Sequence, residues 1–437
     1  MLIVYTHNLT PRVRYVFKQI FNQILGVDIS FTTDKISFLN SSFPKISYTH
    51  SPLKNELFFQ SHSILFEKGV IEREINVTKF NDLACFFLVN NSTLPFDIFG
   101  ASFYMLSRYE EYLPHIKDQY GRFEAKESLA FKYGFLETPI VDQWAQILKI
   151  EILKKYPSLN FPRKKFRFIN SIDVDSPFLY AEKGIVRTLG STFSDILFFD
   201  FSNFFKRVKV ILGLEKDPFD NFELLLNLSK KYKVETIFFY LLGDYDKYDK
   251  SVSFSNKKYQ SIIKFSNDYH RVGIHPSFKS LSKRNLLIKE IQRLSSIIHK
   301  EVLYSRQHYI KLDIPNMYNR LLTSSIKNDY SMGFASKPGF RSGTSNSYYF
   351  YDINSELETN LRIHPFMIMD VTFKNYLKLE PRESFSLIKK IINEVKIVNG
   401  TFISIWHNQS LYYDGEWSGW DLIYENMLKY ISNLTNE

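Results

Sequence analysis

Strand-like runs that end on carboxylates and imidazoles constrain this chain more than any other feature. Phe166-Arg167-Phe168-Ile169 runs into Asp173, and Arg271-Val272-Gly273-Ile274 into His275. Val302-Leu303-Tyr304 leads to Arg306 and His308, Leu361-Arg362-Ile363 to His364, and Thr401-Phe402-Ile403-Ser404-Ile405 to Trp406 and His407. A further run, from Glu235 to Leu242, is apolar throughout its middle. Between these runs the pattern turns helical: Leu287, Ile291, Leu294 and Ile298 share one face, as do Phe385, Ile388, Ile392 and Val395, with Gly400 where a helix-ending glycine belongs. Strands alternating with helices read as βα units on a parallel sheet. In a (β/α) barrel the C-terminal strand ends converge on one mouth, so residues far apart in sequence meet there. The expected fold class is therefore α/β: a distorted (β/α) barrel over residues 161–437, preceded by a smaller α/β accessory domain over 1–160.

The boundary is placed by Lys154-Lys155-Tyr156-Pro157-Ser158 and Pro162-Arg163-Lys164-Lys165, which separate the two patterns. At 437 residues the chain exceeds one ordinary core, given roughly 100–200 residues per domain. The N-terminal part offers little chemistry. Its stretch from Asp97 to Tyr112 reads as one helix, with Arg108, Glu110 and Glu111 on a solvated face. The net charge of +10 comes from scattered lysines. With no zinc finger, RNA-binding signature or basic stripe, nucleic acid is not an expected partner. The single cysteine, Cys85, rules out an intrachain disulfide and suits a reducing compartment. Met1-Leu2-Ile3-Val4-Tyr5 reads as a strand rather than a secretory signal, and no window is apolar enough to span a membrane. A cytoplasmic location is expected, and the oligomeric state is open.

Five constellations carry the chemistry. Asp173-Val174-Asp175 places two carboxylates just past a buried strand, where they are costly unless paired. A divalent metal resolves this: one Asp binds it and the other takes a proton. An Asp-rich turn is the plainer alternative. His275 is aimed by the strand before it and stiffened by Pro276, and a neutral imidazole is a good zinc ligand. Arg306-Gln307-His308-Tyr309 and Gly339-Phe340-Arg341-Ser342 come next, and then His364, Asp370 and Trp406-His407.

Taken in order, these motifs resemble the polysaccharide deacetylase family, metal-dependent carbohydrate esterases that remove acetyl groups from sugars. The likeness covers about residues 165 to 430. More narrowly it is to a bacterial branch in which such a domain follows an N-terminal α/β domain of unknown function. The resemblance implies that Asp173 is the general base and Asp175 a metal ligand. It implies that His275 is a second ligand and Arg341 the arginine that steadies the base. His407 would protonate the leaving amine, oriented by Asp370. One position departs from the family: Lys279 stands where a second metal histidine is usual. Either a third ligand comes from elsewhere, with His308 the first choice and His364 behind it, or the site is degraded and the domain only binds.

The expected function is metal-dependent hydrolysis of acetyl groups on an N- or O-acetylated glycan or glycan precursor. The resemblance implies a setting in cell-envelope or exopolysaccharide metabolism. Zn²⁺ is the expected ion, with Co²⁺ or Ni²⁺ as substitutes. Trp406, Tyr309 and Arg306 are the expected substrate contacts. The alternative is an inactive carbohydrate-binding or regulatory domain that keeps the fold. A glycosyltransferase could also use Asp-Val-Asp after a strand, but no glycine-rich phosphate loop accompanies it.

Overall fold

The computed structural model describes residues 1–436. A four-stranded, fully parallel sheet forms first, from β1 (Leu2–Thr6), β2 (Ile29–Thr32), β3 (Lys45–Thr49) and β4 (Leu57–Gln60), in the order β2-β1-β3-β4. A short antiparallel hairpin, β5 (Thr78–Phe80) and β6 (Leu83–Cys85), follows it. The larger sheet holds β7 (Arg167–Val174), β8 (Glu235–Leu241), β9 (Arg271–His275), β10 (Tyr304–Ser305) and β11 (Asn328–Asp329). It continues with β12 (Tyr348–Asp352), β13 (Leu357–Ile363), β14 (Ile368–Met369) and β15 (Thr401–His407). Its order is β12-β13-β11-β10-β9-β8-β7-β15-β14, with only β12 antiparallel to its neighbour.

The alternation of strands and helices expected from the pattern is present, but a closed barrel is not shown. Among the described residues no ladder joins β14 to β12, the two ends of the sheet. The run after β13 crosses between the two sides by single bonds: Phe366 N–H donates to Met332 O and Met367 N–H to Ile403 O, each at 3.0 Å. Strands as short as β10, β11 and β14 leave too few ladder bonds for regular closure.

Register brings the chemical residues to one edge. Asp173 on β7 is the partner of His407 on β15, and His275 at the end of β9 is the partner of Leu241 on β8. The strands pack closely at Gly273, where a Cβ would meet the Phe239 ring at 2.7 Å and the Tyr304 carbonyl at 2.8 Å. Helix Arg284–Ile298 buries Leu287, Ile291, Leu294 and Ile298, and helix Pro381–Ile397 buries Ile388, Ile392 and Val395, each with the expected face inward. Asn399, with φ 51°, takes the left-handed position after that second helix. Gly400 answers to a different need, because a Cβ there would collide with the Ser345 side chain.

Buried apolar residues from the four-stranded sheet and the larger sheet form one continuous cluster. Polar contacts tie the same halves. Tyr15 Oη–H donates to Tyr349 O at 2.9 Å, and Asp142 Oδ2 accepts the Ser345 N–H at 2.7 Å. The segment from Asp97 to Tyr112 differs from the single amphipathic helix expected. Asp97 caps helix Ile98–Leu106, then Arg108 turns left-handed at φ 54° and a 3₁₀ turn covers Tyr109–Tyr112. The turn puts Arg108, Glu110 and Glu111 inside rather than in solvent. Arg108 Nε donates to Glu111 Oε1 at 2.8 Å, and Arg341 Nη2 donates to Glu111 Oε2 at 2.6 Å. Burial alone would raise the Glu111 pKa, but the Arg341 and Arg108 guanidiniums hold it at about 2.

Removing one member of a buried ion network leaves the others uncompensated, so Glu111→Ala is expected to cost about 3–5 kcal/mol in urea unfolding. Because the folded pKa lies below the ordinary 4.5, the contribution of Glu111 is present above pH 4.5 and fades as pH falls toward 2. The variant should lack that part of the acid dependence, measured by unfolding midpoints across the same pH range.

Candidate active site and metal centre

The C-terminal strand edge opens into a cavity of about 360 Å³ lined by Asp173, Asp175, His275, His308, Tyr309 and His407, among others. Each histidine is turned by a partner on Nδ1. Nδ1 of His275 lies 2.5 Å from the Arg306 carbonyl, which can only accept, so that nitrogen carries the proton. Nδ1 of His308 lies 2.9 Å from Asp249 Oδ1, and Nδ1 of His407 lies 2.8 Å from Asp370 Oδ1. All three therefore present Nε2 to the same place.

That place is the Asp175 carboxylate. Its Oδ1 is 3.2 Å from His275 Nε2 and 3.4 Å from His308 Nε2, and its Oδ2 is 3.8 Å from His407 Nε2. Oδ1 is buried with no hydrogen-bond partner. Two imidazole lone pairs facing a carboxylate oxygen repel unless a positive charge stands between them. Asp175, His275 and His308 each offer one atom within 4.8 Å of the others. This two-nitrogen, one-oxygen donor set fits a divalent transition metal such as zinc. Nδ1 bonds to a carboxylate and a carbonyl are the usual outer support of metal-binding imidazoles. Without an ion, a proton supplies the charge. Burial alone would lower the His308 pKa, but Asp175 and Asp249 push it up to about 9. Burial would raise Asp175, yet His308 and His275 hold it well below the ordinary carboxylate range.

Asp173 sits beside this cluster, almost fully buried, with its Oδ2 3.9 Å from His275 Nε2. Arg306 Nη1 lies 3.4 and 3.5 Å from its two oxygens, and Arg306 Nη2 donates to Ser171 Oγ at 3.0 Å. Asp370 accepts both the His407 backbone N–H at 2.8 Å and the ring Nδ1–H. Burial alone would lower His407, but Asp370, then Asp175 and Asp173, push it up to about 10.

Four expected roles change place. Arg341 does not reach Asp173: it is held by Glu111 and by the Gly333 carbonyl, 2.9 Å from its Nη1. Arg306, expected to touch substrate, is fully buried behind Asp173 and occupies the position foreseen for Arg341. Trp406 is fully buried, 5.1 Å from Tyr424 and 6.4 Å from Trp420 by ring centroids, and cannot be a sugar platform. Neighbours on a strand point to opposite faces, so a cavity-facing His407 sends Trp406 into the core. His364 lies with Arg167, Glu235 and Arg271, the first residues of β7, β8 and β9, hence at the opposite end of the sheet. It stacks on Tyr330 at 4.4 Å, and burial lowers its pKa to about 3. Lys279 points out to solvent and pairs with Asp246, so His308 alone joins Asp175 and His275.

Sequence reasoning missed two groups. Asp249 sits in a loop with no motif around it. Tyr120 and Arg122 come from the N-terminal part and line the cavity. The Tyr309 ring lies 5.0 Å from Tyr120, and Arg122 Nη1 donates to Tyr309 O at 2.7 Å. These rings form an aromatic wall that no local pattern announces.

Residues 2–157 match the model of a family of unknown function, DUF7033. No curated protein matches the chain. Among solved structures it is similar to a Mycobacterium smegmatis protein assigned as a polysaccharide deacetylase. That likeness has 14% identity and a TM-score of 0.42, over 63% of this chain and 86% of that one. It is similar to a polysaccharide deacetylase from Bacillus cereus at 14% identity and a TM-score of 0.30, over 62% of this chain and 89% of that one. It is also similar to a CE4 family pseudoenzyme from Bacillus anthracis at 12% identity and a TM-score of 0.32, over 62% of each chain. Likenesses this loose leave the chemistry to be read from the side chains.

Trp406→Ala is expected to cost about 3–5 kcal/mol, because it empties a core position. Tyr309→Ala, at the cavity wall, should change stability by under about 1 kcal/mol. Urea unfolding of the two variants checks the contrast.

Proposed function

We propose that the chain is a metal-dependent hydrolase that removes an acetyl group from an acetylated glycan or glycan precursor. One observation carries this reading: two imidazole Nε2 atoms, of His275 and His308, converge on the unpartnered Asp175 Oδ1 while a third, of His407, faces its Oδ2, beside a carboxylate held by an arginine. Asp175, His275 and His308 would hold the ion, with Zn²⁺ the best fit to the donors and Co²⁺ or Ni²⁺ as substitutes. When bound there, a divalent ion lowers the pKa of water and polarises the acetyl carbonyl.

The protein's own groups divide the remaining work. Asp173 accepts a proton from the attacking water, and Arg306 fixes its orientation. His407, protonated through its pairing with Asp370, donates from Nε2 to the departing nitrogen or oxygen. Tyr309 and Tyr120 present ring faces to the sugar. The buried aspartates and arginine need no reorganisation as charge develops. The rival reading, a domain that binds glycan without turnover, drew its support from Lys279. With Lys279 turned to solvent and His308 at the centre, that support weakens. A setting in envelope or exopolysaccharide metabolism belongs to the same proposal.

Elemental mass spectrometry of purified protein should find about one equivalent of metal, lost in both His275→Ala and His308→Ala. Asp173→Asn should keep the metal and lose acetate release from acetylated chito-oligosaccharides by about 10²–10⁴-fold. Asp249→Asn should weaken metal affinity by about 10–100-fold, read by chelator competition. Metal-free protein that still binds the oligosaccharide would favour the binding-only reading.

A further inference from the structure

Two helices, Ile185–Leu197 and Phe201–Ile211, form a hairpin between β7 and β8. Nowhere else among the described residues do exposed large apolar side chains crowd so closely. Val186 is 84% exposed, Leu189 64%, Phe198 76% and Phe199 78%. Ile185, Leu189, Phe193 and Ile196 recur at helical spacing, so the first helix presents one continuous apolar face. Between the helices lies a charged pair instead of a core: Arg207 Nε donates to the nearly buried Asp195 at 2.8 Å. A patch this large on a folded surface marks an interaction site.

We infer that this hairpin docks the protein on an anionic lipid bilayer. The helices have 13 and 11 residues, about 20 and 17 Å long, too short to span a bilayer but suited to lying in its interface. Their turn, Leu197-Phe198-Phe199, is apolar and exposed at the tip, a wedge that a fluid surface accommodates. The cations follow the aromatics. Helix and turn residues carry Arg187, Lys206, Arg207 and Lys209 against Asp195 and Asp200, on a chain of net charge +10. Arg207 is taken by Asp195 and Lys206 by Asp414. The charge offered to lipid headgroups is therefore that of Arg187, whose hydrogen-bond partners are neutral carbonyls, and of Lys209, in an exposed and weakly held pair with Glu215. Phenylalanine and leucine on one face with lysine and arginine beside it is the pattern of a membrane-surface helix.

The hairpin is anchored to loops that carry site residues. It leaves β7 just after Asp175. Arg187 Nη1 donates to Ser251 O at 3.0 Å, two residues from the Asp249 that holds His308. Lys206 Nζ bonds Asp414 Oδ2 at 2.7 Å, in the segment that follows His407. Docking would set the cavity at the bilayer surface, where a glycan carried on a lipid would present itself. That last step rests on the hydrolase reading; the docking does not.

The experiment is flotation of the full chain with vesicles of phosphatidylcholine alone and of phosphatidylcholine mixed with phosphatidylglycerol. Wild type should float with the mixed vesicles. Phe198→Asp combined with Phe199→Asp should cut the bound fraction at least about tenfold. Both rings are exposed, so circular dichroism and the thermal midpoint should not move. Wild type that stays at the bottom of the gradient, or a double variant that floats as well as wild type, would overturn the inference. So would a wild-type dimer by light scattering that the double variant splits without either binding vesicles. That result would assign the patch to a second copy of the chain.

Discussion

The Asp175 carboxylate, facing three imidazole Nε2 atoms with one oxygen that no donor satisfies, is the constraint from which the site follows. A buried carboxylate is tolerated only beside positive charge. Here the charge comes from protonated imidazole or from an ion. Every neighbouring partner serves that arrangement. The Arg306 carbonyl, Asp249 and Asp370 each take one Nδ1–H, so every ring is held with its Nε2 facing Asp175. Arg306 does two things at once: its carbonyl orients His275 and its guanidinium faces Asp173.

The N-terminal part belongs to the same account. Its Tyr120 and Arg122 build the wall beside Tyr309, and its Glu111 takes the arginine that sequence reading had assigned to the base. The tie through Glu111, Arg108 and Arg341 is buried and polar, and it joins the first half to the loop that carries Arg341. A loop of the first half thus shapes the cavity that residues of the second half fill.

The strand-end residues were legible because parallel strands carry their chemistry at one edge. The runs ending on Asp173, His275 and His407 gave the cluster, and register places Asp173 and His407 side by side. Trp406 was also legible in principle: adjacent to a cavity-facing His407, it had to point away. The choice between Arg306 and Arg341 was not. Both follow buried segments, and only the packing of the 339–344 loop against the N-terminal part decides between them. Asp249, Tyr120 and Arg122 come from loops whose positions depend on the whole fold. The left-handed turn at Arg108 cut short a helix that periodicity alone would extend. Barrel closure is not shown, and strand-like composition could not have decided it, since it does not reveal a ladder of two residues. The inverted polarity of the 185–211 hairpin was written in the sequence, but apolar helical periodicity is normally a core signal, and only exposure separates the two.

Anomalous X-ray scattering from crystals grown with zinc tests the central claim most directly. The account predicts one strong peak at about 2.0–2.2 Å from an Asp175 oxygen and from Nε2 of both His275 and His308. No peak between these three side chains, or a peak held by other residues, would contradict it.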